Sequence, residues 1–341
     1  MNAGFGCRTT RRRVLTALGS VAALGIGGAM ISRPAHARQI TIRFNHTDGT
    51  GGEAFHFAEQ FKTLVEQRSG GRINVQNFHA GQLGHERAMF DSMHIGAIEM
   101  GRTGSLIIGV VAPQYGALDM PYVFRSQQHL RNVLAGPIGQ AMHQEFLERR
   151  GIRVLGLVNR GPRHLTTRNR AVRSPADLAG LKLRVPEIPV YVAAWRALGA
   201  APTPMAFPEV FTALQQGTID GQENPLGTIH GNSFQDVQRY LVLTAHVRGN
   251  GWMVASERFW RPLAEADRSL LQQAVNDAAA HADAQVARLE GELLATLQRA
   301  GMRLIEPDVK PFADLVLRDV PPRFADRWQS GLLDQVLRTP G

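Results

Sequence analysis

Cysteine is all but absent from this 341-residue sequence. The one thiol, Cys7, precedes an apolar run near the amino terminus. Removal of that run as a leader would leave no thiol, hence no disulfide and no cysteine-ligated metal. A lipid-anchor cysteine is excluded too, since it would have to follow the apolar run. Common enzyme signatures are also missing: there is no HExxH, no G-x-S-x-G, no phosphate loop and no G-x-G-x-x-G. His79, His85 and Glu86 lie near one another, but their spacing does not suit a tight ligand set. Asp220 and Glu223 flank Gly221 without the further oxygens that a calcium loop needs. No catalytic residue, metal or cofactor is therefore expected.

The amino terminus reads as an address. Thr10-Arg11-Arg12-Arg13-Val14-Leu15 leads into the uncharged stretch Val14–Ile31, eighteen residues with four glycines, and Ala35-His36-Ala37 offers a cleavage site. Eighteen residues is the lower edge for a membrane span. The glycines and the small residues at its end favour a cleaved signal peptide, and the arginine pair resembles a twin-arginine (Tat) leader. Residues 1–37 are expected to be removed on export to the periplasm. They carry five arginines and no acid, so the remainder has 33 basic and 29 acidic residues and its net charge falls from +9 to +4. The basic balance is then largely a property of the leader, and no nucleic-acid partner follows from it. About 304 residues remain, enough for two domains.

Past the leader, Ile40–Asn45 alternates as a half-buried strand, and Phe55, Phe57, Ala58, Phe61, Leu64 and Val65 fall at helical spacing. Gly70-Gly71 ends that helix before a second strand at Ile73-Asn74-Val75. Helices at 85–95, 190–198 and 208–216 and strands near 98–100 and 152–159 continue the alternation. That pattern predicts an α/β fold with a mainly parallel sheet. From Asp267 to Ala300 the chain has no proline, and a helix there would be about 50 Å long. It could cross between two domains, or kink at Gly291 within one core.

Two arginines stand out. Arg163 follows the strand-like Val154–Val158, and Arg184 lies in "GLKLRVP", where Leu181, Leu183 and Val185 alternate with cations. A position near the carboxyl end of a strand faces the crevice of an open α/β sheet, and a guanidinium fork matches a carboxylate. The alternative for each is an exposed ion pair of small worth. Asn224, in "GTIDGQENP", is pushed to extended backbone by Pro225, which would let it aim its amide at a fixed oxygen, the alternative being a capping or turn asparagine that faces its own backbone; Asp220-Gly221 reads as the turn before it.

The stretches "FHAGQLGHERAM", "ALDMPYVF", "SPADLAGLKLRVP", "ALGAAPTPMAFPEVFTALQQGTIDGQENP" and "YLVLTAH", taken in order, resemble the periplasmic solute-binding subunits of TRAP transporters, the DctP-type family. The resemblance spans roughly 40–320. It implies a two-lobed periplasmic-binding-protein fold, with a ligand cleft between lobes and a long C-terminal helix spanning both. The first lobe would comprise 38–161 and 250–290, the second 162–249 and 291–338.

The resemblance also implies roles. Arg184 would grip a ligand carboxylate, Asn224 would donate to it, Phe207 would line or stack on the ligand, and Arg163 would supply a second cation. From the first lobe, positions at or near His46, Thr47 and Glu86 would touch ligand. Trp252 could close the pocket as a flat wall or could be hinge packing, and Phe207 could be ordinary core. Relatives that bind sialic acid carry extra ionic groups where this chain has only Arg102, within 101–107, which argues against sialate. The expected partners are a small carboxylate and the membrane permease subunits of a TRAP transporter, and a monomer is expected. A periplasmic sensor or an exported enzyme are the alternatives.

Overall fold

The computed structural model describes residues 39–50 and 52–341. The expected leader lies outside them. None of the described helices is long and apolar enough to cross a membrane.

Nine strands form one sheet: β1 (Ile40–Asn45), β2 (Ile73–Phe78), β3 (Met100–Thr103), β4 (Ile152–Thr167), β5 (Lys182–Val185), β6 (Ala201–Pro204), β7 (Gly221–Pro225), β8 (Tyr240–Ser256) and β9 (Arg303–Ile305). Their order is β2-β1-β3-β8-β4-β7-β5-β6, with β9 beside β8. The sheet is mixed: five of its eight strand pairings are parallel, as expected of most of it, and three are antiparallel. Each outer wing is parallel, β2-β1-β3 on one side and β7-β5-β6 on the other. The centre is antiparallel, because β4 and β8 run 16 and 17 residues across both wings. β3 pairs with Trp252–Ala255 of β8, whereas β7 pairs with Arg163–Thr167 of β4, so each wing holds a different half of the ribbon.

The ribbon changes register between Asn159 and Pro162, where Gly161 adopts φ 73°. A positive φ suits glycine, and an irregularity of this kind bends the strand without ending it. The sequence pattern placed this strand only near 152–159, and the observed strand continues through the bend to Thr167.

Packing follows the helical periodicity. The helix Glu53–Arg68 buries Ala54, Phe57, Ala58, Phe61 and Val65 against β1 and β2. A fully buried phenylalanine is worth about 1.5–3 kcal/mol. The helix Glu265–Arg299 runs 35 residues without a break at Gly291, about 52 Å at 1.5 Å per residue. Leu271, Ala274, Val275 and Ala278 join the core of the first wing. Leu297 joins Val210, Leu214, Phe234 and Leu241 in the second. One unbroken helix thus contributes to both cores.

Candidate functional site

Strand β7 is buried along its whole length between β4 and β5. The chain reverses before it at Gly217, which has φ 76° and ends the helix Val210–Gln216; Gly221 is already in the strand. A β-carbon on Gly221 would stand 2.4 Å from the carbonyl oxygen of Thr166, so the tight pairing of β7 with β4 needs glycine there.

The ends of β5 and β7, the bend in β4 and the start of the helix Glu86–Ile95 surround one cavity of ≈ 50 Å³. Arg163, Arg184, Asn224, Phe207, Thr47 and Glu86 all line it. Asp48, Arg102, Arg160, Tyr191 and Asn250 also line it and were not foreseen as ligand contacts. His46 and Trp252 do not line it. His46 is buried behind its neighbours, with Nε2 on Asn77 Oδ1 at 3.0 Å, and burial draws its pKa down to about 4. Trp252 packs edge-on against His143 and Phe146, which is the packing alternative for that residue.

Arg184 is 3% exposed. Its Nε and Nη2 both donate to the Met205 carbonyl, at 3.0 and 2.7 Å, and its guanidinium stands 5.7 Å from the Phe207 ring. Among the described residues no carboxylate forms an ion pair with it. Burial pulls its pKa down to about 10, with Glu223 opposing and Arg163 reinforcing the shift, so it stays protonated at neutral pH. An unpaired buried charge costs several kcal/mol in a folded protein. The site therefore holds a cation that an incoming anion would relieve.

Arg163 is different. It forks onto Glu223, with Nε to Oε2 at 2.5 Å and Nη2 to Oε1 at 2.7 Å, and also reaches the Glu223 carbonyl. His246 Nε2 meets the same carboxylate at 2.8 Å, and its Nδ1 meets Thr244 Oγ1 at 2.7 Å. Burial pushes the Glu223 carboxyl up, but the charge of Arg163 and the hydrogen bonds outweigh it and hold the group at about 2. Burial lowers His246, which is neutral and donates to Glu223. Arg163, expected as a second ligand cation, has its charge balanced within the protein.

Asn224 donates to Gln222 Oε1 at 2.6 Å, and Gln222 in turn donates to Thr166 Oγ1 at 2.9 Å. One amide hydrogen of Asn224 is thus committed to its own strand. Across the cavity, Glu86 accepts from Thr103 Oγ1 and from the Gly104 N–H, both at 2.6 Å. Asp48 accepts from the Ala54 N–H at 3.1 Å. Glu53 pairs with both Arg102 and Arg160, and Arg160 donates to Thr228 Oγ1 at 3.0 Å. Asp48, Arg160 and Tyr191 have no distinguishing sequence pattern; adjacency to Thr47 and to the Gly-x-Arg stretch was the available signal for the first two.

Taken together, the cavity offers one cation without a carboxylate partner, two that share Glu53, one half-committed amide, an aromatic face and carboxylates able to accept from hydroxyls. The Thr244–His246 contact, a hydroxyl on an imidazole, lies off the cavity wall, and among the described residues no lining hydroxyl meets a histidine.

Residues 44–319 match the family described as bacterial extracellular solute-binding protein, family 7 (DctP). The chain belongs to that family. These proteins are the solute-binding subunits of TRAP transporters rather than enzymes, as the sequence motifs implied. The solute-binding protein RD1_1052 of Roseobacter denitrificans is 37% identical over 317 residues, covering 90% of this chain and 95% of that protein. A TRAP periplasmic solute-binding protein from Bordetella bronchispeptica, with density assigned as pantoate, superposes with a TM-score of 0.83 at 36% identity, covering 89% of this chain and 100% of that one. The structure of RD1_1052 with bound L-galactonate gives a TM-score of 0.81 at 34% identity, over 88% and 98% of the two chains. The α/β binding-protein architecture is thus shared with TRAP solute-binding proteins.

Proposed function

We propose that this TRAP solute-binding protein captures a hydroxylated monocarboxylate between its wings and delivers it to a membrane permease. The observation that carries the reading is Arg184, a buried guanidinium whose fork faces no protein carboxylate. A carboxylate there gains charge-assisted, two-point hydrogen bonds, with the free N–H of Asn224 as an added donor. Glu86 and Asp48 supply acceptors for ligand hydroxyls, and Phe207 supplies a face for the carbon chain. Because Glu223 balances Arg163 while Arg102 and Arg160 share Glu53, Arg184 is the lining arginine that lacks a carboxylate partner, and a hydroxy acid with one carboxylate is favoured over a diacid. Pantoate and L-galactonate, the acids assigned in two of the related structures, are both hydroxylated monocarboxylates.

The wings would part to admit the ligand, and closure then expels water and strengthens every polar contact inside. The lobes would divide as 38–161 with 250–290 and 162–249 with 291–338, hinged on the β4–β8 ribbon. The mature chain would reach the periplasm by a Tat leader and act as a monomer.

A thermal-shift series tests the reading, since a ligand of the folded state raises the melting temperature by mass action. L-Galactonate, pantoate and D-erythronate are expected to include at least one stabiliser, and the matching neutral alcohol should give no shift. Equal shifts from acid and alcohol would contradict a carboxylate site.

A further inference from the structure

Beside the ligand cavity lies a second, smaller space of ≈ 20 Å³. Ser105 and Asn250 line both spaces. Its remaining wall is apolar except for Asp119, Arg248 and Trp252. Each of these three carries a buried polar atom with no protein hydrogen-bond partner: Asp119 Oδ2, Arg248 Nε and Trp252 Nε1. Two are N–H donors from β8. The third is a carboxyl oxygen from the turn of 3-10 helix Pro113–Asp119. Among the described residues no ion pair joins Asp119 to Arg248, although both face this space.

Three orphaned polar groups around one apolar-walled space each call for a partner, because an unpaired buried donor or acceptor costs about as much as a lost hydrogen bond. The volume limits what that partner can be. One water needs roughly 10–15 Å³ on this measure, so the space has room for one. Chemistry narrows it further. A cation would confront two N–H donors, one of them on the Arg248 guanidinium. A water has two lone pairs for the two donors and a hydrogen for the oxygen.

We propose that this chamber is a resident water site, in which one water accepts from Arg248 Nε and Trp252 Nε1 and donates to Asp119 Oδ2. The water ties β8 to the 113–119 segment immediately behind Ser105 and Asn250 of the ligand cavity. Burial pushes the Asp119 carboxyl well above the usual range while a Ser105 hydrogen bond opposes it; a water donating to Oδ2 adds to that opposition. Trp252, placed in the core by its ring, thus has a polar duty at its indole nitrogen. The assignment is independent of which ligand fills the cavity.

A crystal structure of the mature protein that resolves ordered solvent is the test, with Trp252→Phe alongside to delete the N–H and keep the packing. The expected result is one solvent peak within hydrogen-bond distance of all three atoms, lost or displaced in the variant. A wild-type chamber without solvent, or Asp119 in direct contact with Arg248, overturns the proposal even if the variant fails to fold. A peak unchanged in Trp252→Phe overturns it as well, because the indole would then not be a partner.

Discussion

The strands on either side of β7 each send an arginine into the same cavity, and the two arginines live in opposite electrostatic company. On the β4 side, Arg163 meets Glu223 at two points, Glu223 meets His246, and His246 meets Thr244. On the β5 side, Arg184 meets only a carbonyl and an aromatic face. Both guanidiniums are buried to a similar degree, at 6% and 3% exposure. The same residue type at the same depth can therefore be part of the scaffold or part of the binding chemistry. What separates them is whether the fold supplies the counter-charge.

If that contrast is right, breaking the closed network should damage the fold. Glu223→Gln leaves Arg163 buried without an anion, and removing one partner of a buried pair costs about 3–5 kcal/mol. Urea unfolding of the ligand-free protein should show that loss. A stability within experimental error of wild type would mean that Arg163 finds relief elsewhere, and the two arginines would no longer differ.

The mirror experiment is Arg184→Ala. Ligand affinity should drop by about 2–5 kcal/mol, roughly 30-fold to several thousandfold, as the carboxylate would sit desolvated and unpaired. Arg184→Lys should recover only part, since an ammonium cannot present the planar fork. Stability of the ligand-free protein should be unchanged or improved, because the substitution removes a cation that the fold leaves unbalanced. Calorimetry and unfolding on one variant thus read the two halves of the comparison separately. Wild-type affinity in Arg184→Ala would remove the basis of the proposed function.

How much of this was legible in the sequence depends on the range of the interaction. Alternating patterns located β1, the helix Glu53–Arg68 and the long helix Glu265–Arg299 closely, since each is set by local periodicity. The length of β4 was not legible, because Gly161-Pro162 looks the same whether it stops a strand or bends it. Arg184, Asn224 and Phe207 stood out through short motifs. The role of Glu223 did not: its partners are 60 and 23 residues away in the chain, and alone it resembled a stray acid in a turn. The free state of Arg184 was equally hidden, since only packing shows which acids fail to reach it.

A smaller effect is expected at the strand between the arginines. Gly221→Ala would drive a methyl group into the Thr166 carbonyl, and overpacking of this kind costs about 1–3 kcal/mol. The loss should appear in unfolding, and in affinity only through displacement of Asn224. A neutral result would show that β7 can shift without penalty and that the cavity wall is softer than its pairing suggests.

The smallest expected effect is a null one, and it discriminates most finely between the two arginine environments. Arg184 loses its proton only near pH 10, Glu223 gains one only near 2, and burial keeps His246 neutral. Affinity for the carboxylate should accordingly stay flat between about pH 6.5 and 9. Stability behaves otherwise. His46, His164 and His246 have pKa values lowered in the fold by burial, from an ordinary 6.5, to about 4 for the first and about 3 for the second. Below 6.5 the unfolded chain binds protons that the folded chain refuses, so their contribution is present above that pH and is lost as pH falls. Calorimetric titrations across the flat window, paired with melting curves continued down to pH 5, should show constant affinity and then declining stability. An affinity that rises about tenfold per pH unit on acidification would mean that a histidine must be protonated for the ligand to bind, and the anion would then be answering to the His246 network rather than to Arg184.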